Sequence, residues 1–76
     1  MVIKRGTNYI RFVAALPTSA HKAGETVEAW RDYCGWHCRT IGDAQIYRAS
    51  ANLLRTIGGE VITQSAEIPA GIEVLR

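Results

Sequence analysis

Residues 27–41 read VEAWRDYCGWHCRTI and contain both tryptophans and both cysteines of the 76-residue chain. At about 100° per residue, one face of this segment is apolar, which is the pattern of an amphipathic helix. The residues on that face are Val27, Trp30, Cys34, Cys38 and Ile41. The segment is therefore predicted to be the central core helix.

A second helix is predicted from about Ala44 to Ile57. Gly42 is expected to end the first helix, and Asp43 is suited to begin the second because its short side chain accepts hydrogen bonds from free N–H groups. Gly58 and Gly59 follow it as a stop. The predicted core stripe of this helix is Ile46, Ala49, Ser50, Leu53 and Ile57.

Short strands are predicted on both sides of the helices. They are Val2 to Arg5, Asn8 to Leu16, Glu60 to Gln64 and Ile72 to Leu75. In the longest of them, alternation places five residues on the core side, namely Asn8, Ile10, Phe12, Ala14 and Leu16. The predicted fold class is α+β, a small antiparallel sheet of three to four strands with two helices packed on one face, in the order β(β)ααββ. Residues 1–76 are predicted to form a single compact domain.

Composition and charge set the wider limits. Two cysteines are too few for a disulfide scaffold, so reduced thiols and a cytoplasmic location are expected. No apolar run approaches the length of a membrane span. A chain this short buries a small core, and a homodimer is expected to supplement it. The net charge of +2 is uneven, because residues 1–24 carry four cations and no acid.

The candidate metal ligands are Cys34, His37 and Cys38, which would share one face of the first helix, with His21 within reach from the preceding loop. Zinc takes such ligands, but their spacing matches no established zinc-binding pattern. Burial in the apolar stripe is the favoured interpretation of both thiols. No metal and no cofactor are expected. The sequence also holds no catalytic constellation, so the protein is predicted not to be an enzyme.

Two surface features are candidate partner-binding residues. Tyr33 and Trp36 would lie at the edge of the polar face of the first helix, and these residue types are enriched in binding hot spots. Arg48, Asn52 and Arg55 would form a polar stripe on the second helix without an acidic neighbour. Arginines in such a setting bind phosphate or carboxylate groups bidentately.

The favoured functional prediction is a small non-enzymatic protein-binding module that inhibits a partner protein. Inhibitors from phages and mobile elements, anti-CRISPR proteins among them, have this size, and the analogy extends to size alone. The alternative is a nucleic-acid-binding or transcription-regulatory protein. Its contacts would come from Lys4, Arg5, Arg11, Arg48 and Arg55.

Overall fold

The computed structural model describes residues 1–72, which form one antiparallel sheet of five strands and one short helix. The elements in chain order are β1 (Tyr9–Ala14), β2 (Thr26–Asp32), β3 (Gly35–Thr40), β4 (Tyr47–Ala49), α1 (Ala51–Ile57) and β5 (Gly58–Ser65). In space the strands follow the order β4-β3-β2-β1-β5. No helix in this part of the chain is long and apolar enough to cross a lipid bilayer.

The predicted fold class is wrong. The pattern of the sequence favours two helices on a sheet of three to four strands, whereas residues 1–72 contain a five-stranded sheet and a single helix of seven residues. The error lies in the two segments predicted to be helical, because most of their residues belong to β2, β3 and β4.

The predicted central helix, Val27 to Ile41, is the β2–β3 hairpin. Its strands pair with Trp30 opposite His37 and Ala29 opposite Cys38. Gly35, which in a helix would be an unfavourable interior residue, lies just after the turn with φ of +103°. The side chain of Asp32 accepts a hydrogen bond from the Cys34 amide across this turn at 2.8 Å.

The helical pattern in this segment arises because β2 is buried on both of its faces. Val27 and Ala29 point into the core beneath α1, while Glu28 and Trp30 are buried on the opposite side of the sheet. A strand buried on both faces loses its polar–apolar alternation, and periodicity alone then does not separate it from a helix.

The predicted second helix, Ala44 to Ile57, is helical only in its last seven residues, Ala51–Ile57. Ser50 is its N-cap, and its side-chain oxygen accepts a hydrogen bond from the Leu53 amide at 3.0 Å. Ser50 therefore lies at the helix start and not in a core stripe. The residues before it form β4, which pairs with β3 through His37 opposite Arg48.

The strand predictions have mixed outcomes. The strand predicted from Asn8 to Leu16 is present as β1, which ends at Ala14, and Ile10, Phe12 and Ala14 are buried as expected. Leu16, also predicted on the core side, lies beyond the strand and is 48% exposed. The strand predicted from Glu60 to Gln64 is part of β5, which follows α1 without a loop. Val2 to Arg5 is not a strand, because a turn begins there and is closed by the Thr7 amide donating to the Lys4 carbonyl at 3.1 Å. The last predicted strand, Ile72 to Leu75, lies beyond the described residues except for Ile72.

The sheet has two faces of different character. The core face carries α1, whose Leu54 and Ile57 pack against Ile10, Phe12 and Val27. We call the opposite side the polar face; its buried members are Tyr9, Glu28, Trp30 and His37. The face on which a charged side chain lies therefore limits which other charged side chains it can contact.

Candidate functional site

A pocket of about 410 Å³ lies where the N-terminal turn, the end of the β2–β3 hairpin and α1 come together. Its lining contains several cationic side chains and, within the described residues, no acidic one. The cations are Lys4, Arg5, Arg31 and Arg55, and the other lining residues are Ile3, Gly6, Thr7, Trp36 and Ala51. We call this concavity the basic pocket.

The N-terminal turn contributes one wall of the basic pocket. Gly6 has φ of +86°, a conformation that side-chain-bearing residues rarely adopt, and this allows the chain to reverse between Lys4 and Thr7. The side chain of Gln64 in β5 anchors the turn, since its Oε1 accepts from the Lys4 amide at 2.9 Å and from the Thr7 hydroxyl at 3.0 Å. Lys4 and Arg5 are thereby held at the pocket although they belong to no strand.

Arg31, near the end of β2, is held in place by two neighbouring side chains. Its Nε and one Nη atom donate to Oδ1 of Asn8 at 3.2 and 3.0 Å. Its guanidinium carbon lies 5.8 Å from the ring centre of Trp36, a cation–π distance. A guanidinium has five N–H donors, so three of them remain after the contacts with Asn8.

Arg55 enters the pocket from α1. One of its Nη atoms donates to Oδ1 of Asn52 at 3.2 Å, one helical turn earlier. Trp36, expected from the sequence at the edge of a polar helix face, is 8% exposed and belongs to the core cluster. Asn52 therefore orients Arg55, and Trp36 supports Arg31, while the cations themselves remain available for contact.

The acids of β2 face away from the cations of the pocket. Glu28 and Asp32 lie on the polar face, where Glu28 pairs with Arg11 and Arg39, and Oδ1 of Asp32 lies 3.0 Å from Nε2 of His37. None of these pairs includes a cation of the basic pocket. Like charges around one concavity repel each other, and an anion bound there relieves that repulsion.

On the polar face, side chains form a hydrogen-bond network centred on Glu28. The carboxylate accepts from the Tyr9 hydroxyl at 2.8 Å and from Nε of Arg39 at 2.7 Å. The guanidinium of Arg39 also covers the ring of Trp30, 5.6 Å from its centre, and leaves Trp30 1% exposed. The aromatic ring is thus a structural member of this face and is not presented to a partner.

Arg11 and Arg48 lie apart from the basic pocket. Arg11 is on the polar face, where its Nε donates to the Tyr9 hydroxyl at 3.2 Å. Arg48 is in β4, and its guanidinium donates to the Cys34 carbonyl. The stripe expected for Arg48, Asn52 and Arg55 is therefore divided between a strand and a helix.

The candidate metal ligands do not form one site, although His21 and Cys38 line the same small pocket. Cys34 is exposed at the tip of the hairpin, Cys38 is buried on the core face, and His37 is on the polar face with its Nε2 3.0 Å from Oδ1 of Asp32. His21 lies in the loop before β2, where its Nδ1 is 3.1 Å from the Thr18 hydroxyl. Within residues 1–72 no three such side chains are grouped around a point. Burial raises the pKa of the Cys38 thiol, which keeps it protonated and unreactive.

Of the residues predicted to bind a partner, the structure brings Trp36 and Arg55 to one pocket and places Tyr33 elsewhere, 73% exposed in the hairpin turn. The sequence pattern did not predict that Arg31 lies near Lys4 and Arg5. The available signal was the absence of acids among the first 24 residues. Comparison of the chain with protein-family models, curated proteins and solved structures finds no match.

Proposed function

We propose that this protein is a non-enzymatic nucleic-acid-binding module that holds phosphate groups in the basic pocket. The observation that carries the proposal is the gathering of Lys4, Arg5, Arg31 and Arg55 around one concavity without an acidic residue in its described lining. Phosphate contacts from Arg and Lys supply most of the affinity in nucleic-acid binding. The guanidinium group matches phosphate geometry with paired N–H donors.

Binding and not catalysis is proposed because of the chemistry of the lining. Its polar side chains are the four cations and Thr7, and the hydroxyl of Thr7 is already engaged by Gln64. A carboxylate, imidazole or thiol, the usual groups for proton transfer or nucleophilic attack, is not among the described lining residues. The pocket is thus equipped to hold an anion in place.

The test is a salt titration of binding to labelled single-stranded DNA, single-stranded RNA and duplex DNA. Log affinity should fall linearly with log salt concentration, with a slope of about −0.7 for each phosphate that the pocket neutralises on a single strand and about −0.9 for each on a duplex. Arg55→Ala should weaken binding to all sequences and make that slope less steep.

Arg48→Ala is the matched control, because it removes an arginine of the same region that lies outside the pocket. Its salt slope should equal that of the wild type. Equal losses in Arg48→Ala and Arg55→Ala would mean that general positive charge, and not the basic pocket, accounts for binding. No binding of any strand at low salt would refute the proposed function.

A second candidate is the inhibitory protein-binding module, and the exposed Tyr33 at the hairpin tip is the observation that favours it. An aromatic side chain projecting from a rigid turn is suited to fill a pocket on a partner protein. In that case Tyr33→Ala should weaken capture of the partner by about 2 kcal/mol or more, with little dependence on salt. Arg55→Ala should then have a smaller effect.

A further inference from the structure

We propose that the basic pocket takes a terminal phosphate, the phosphomonoester at the end of a nucleic-acid strand, in preference to an internal phosphodiester. This inference rests on the proposed function, since it specifies which phosphate of the nucleic acid the pocket holds. It follows from the number of cations, the donors they keep and the size of the concavity.

The four cationic side chains carry more positive charge than one internal phosphate can neutralise. A phosphodiester carries one negative charge, whereas a phosphomonoester carries about −1.5 to −2 at pH 7 and presents three terminal oxygens. The pocket brings four cationic side chains to one concavity instead of spacing them along an edge of the sheet. A dianion with three free oxygens matches that arrangement better than a monoanion with two.

Arg31 and Arg55 keep enough N–H donors to bind a phosphomonoester. Arg31 retains three N–H donors after its contacts with Asn8, and Arg55 retains four after its contact with Asn52. Both guanidinium groups are already positioned by these amide side chains. Binding therefore loses less side-chain entropy than it would with free arginines, and this favours a fixed geometry around the ligand.

The dimensions of the pocket match about one nucleotide. A volume of about 410 Å³ falls within the range of small-molecule sites, about 300–1,000 Å³. The lining comes from three separate parts of the chain: the turn at Lys4 to Thr7, the hairpin residues Arg31 and Trp36, and α1. A strand end enters such a site without threading.

The experiment compares oligonucleotides of one sequence that differ only at their ends. Fluorescence anisotropy is measured for strands with a 5′-phosphate, a 3′-phosphate or hydroxyls at both ends. At least one phosphorylated end should bind about ten-fold more tightly than the hydroxyl strand. Arg5→Ala and Arg31→Ala should each reduce that preference, while Lys22→Ala, an exposed cation outside the pocket, should retain it.

Arg31→Ala also removes a contact to Trp36, so circular dichroism of that variant is needed to show that it is folded. Arg5→Ala removes no described side-chain contact and keeps the test decisive if Arg31→Ala unfolds. A thermal-shift arm with inorganic phosphate and with a nucleoside monophosphate, at constant ionic strength, separates strand ends from free phosphate compounds.

The outcomes distinguish the inference from the function on which it rests. Equal affinity for phosphorylated and hydroxyl strands, with both weakened by Arg55→Ala, would overturn the terminal-phosphate inference and leave nucleic-acid binding intact. No binding of any strand would overturn both. Stabilisation by inorganic phosphate without strand binding would overturn both as well, and would identify a site for free phosphate compounds.

Discussion

Tyr9→Phe is the change that most directly tests the described packing of the polar face. The hydroxyl of Tyr9 donates to Glu28 at 2.8 Å, and Glu28 is 5% exposed. A hydrogen bond to a charged group contributes about 1.5–3 kcal/mol. Nη2 of Arg11 lies 3.9 Å from the same carboxylate oxygen and can move to replace part of the contact. We therefore expect a loss near the lower limit, about 1.5 kcal/mol, or about 6–12 °C in Tm.

The companion variant is Glu28→Gln, measured alone and together with Tyr9→Phe by urea unfolding. Glu28 accepts two hydrogen bonds, from Tyr9 at one oxygen and from Arg39 at the other. A glutamine that keeps its carbonyl oxygen against Arg39 turns its NH₂ group to the Tyr9 hydroxyl, which can accept from it, so the expected cost of about 2–4 kcal/mol comes from loss of the charged contact with Arg39. In the Glu28→Gln background, Tyr9→Phe should cost less than in the wild type, because the bond it removes no longer involves a charged group.

Tyr33→Phe is the matched control, since it removes the hydroxyl of an exposed tyrosine in the hairpin turn. It should leave the free energy of unfolding within about 0.5 kcal/mol of the wild type. If Tyr9→Phe costs the same in the wild-type and Glu28→Gln backgrounds, the hydroxyl and the carboxylate are not coupled. The described network would then be wrong.

Tyr9→Phe also alters how the free energy of unfolding depends on pH in the alkaline range. Burial, together with the hydrogen bond to Glu28, raises the pKa of Tyr9 above its ordinary value of 10.0. The folded protein therefore holds this proton more tightly than the unfolded chain does. The resulting stability is complete below pH 10 and is lost as the pH rises through the raised pKa. Tyr9→Phe should lose this component, so its stability should fall less steeply above pH 10.

Two further predictions concern the core. Iodoacetamide should modify Cys34 and spare Cys38 in the folded protein, because Cys38 is buried and burial raises the pKa of its thiol. Peptide mass spectrometry measures the labelling, and equal labelling of the two cysteines would contradict the burial of Cys38 in the core. Leu54→Ala should cost about 2–5 kcal/mol because Leu54 is fully buried, whereas Leu53→Ala should cost less than about 1 kcal/mol because Leu53 is 42% exposed. Similar losses in the two unfolding curves would mean that α1 presents a different face to the sheet.

Part of this architecture is readable from the sequence because the signals are local. In β1, Ile10, Phe12 and Ala14 alternate with larger polar or partly exposed residues, and that period of two predicts a strand and its core side. The glycines after Ile57 predict the end of a helix, and β5 begins at the first of them. The concentration of positive charge in the first 24 residues is likewise visible without a structure.

The placement of residues 27–41 required the tertiary structure. Trp30 is buried although it lies on the face opposite the helix, because Arg39 covers its ring and His37 stacks at 5.9 Å. Those partners come from β3, and pairing across a hairpin is invisible to a pattern read along one segment. With both faces of β2 covered, the apolar residues follow a spacing that a helix also satisfies.

The candidate site was decided by tertiary structure for a related reason. The sequence by itself determined that the N-terminal residues are basic and that Arg55 has no acidic neighbour in its helix. It did not determine that Lys4 and Arg31 lie near Arg55, since these residues are far apart in the chain. They line one pocket because α1 and the N-terminal turn both lie beside the end of the β2–β3 hairpin. The alternation of side chains along β2 also places Glu28 on the opposite face of the sheet, and this is the physical reason that β2 contributes no acid to the described lining of the pocket.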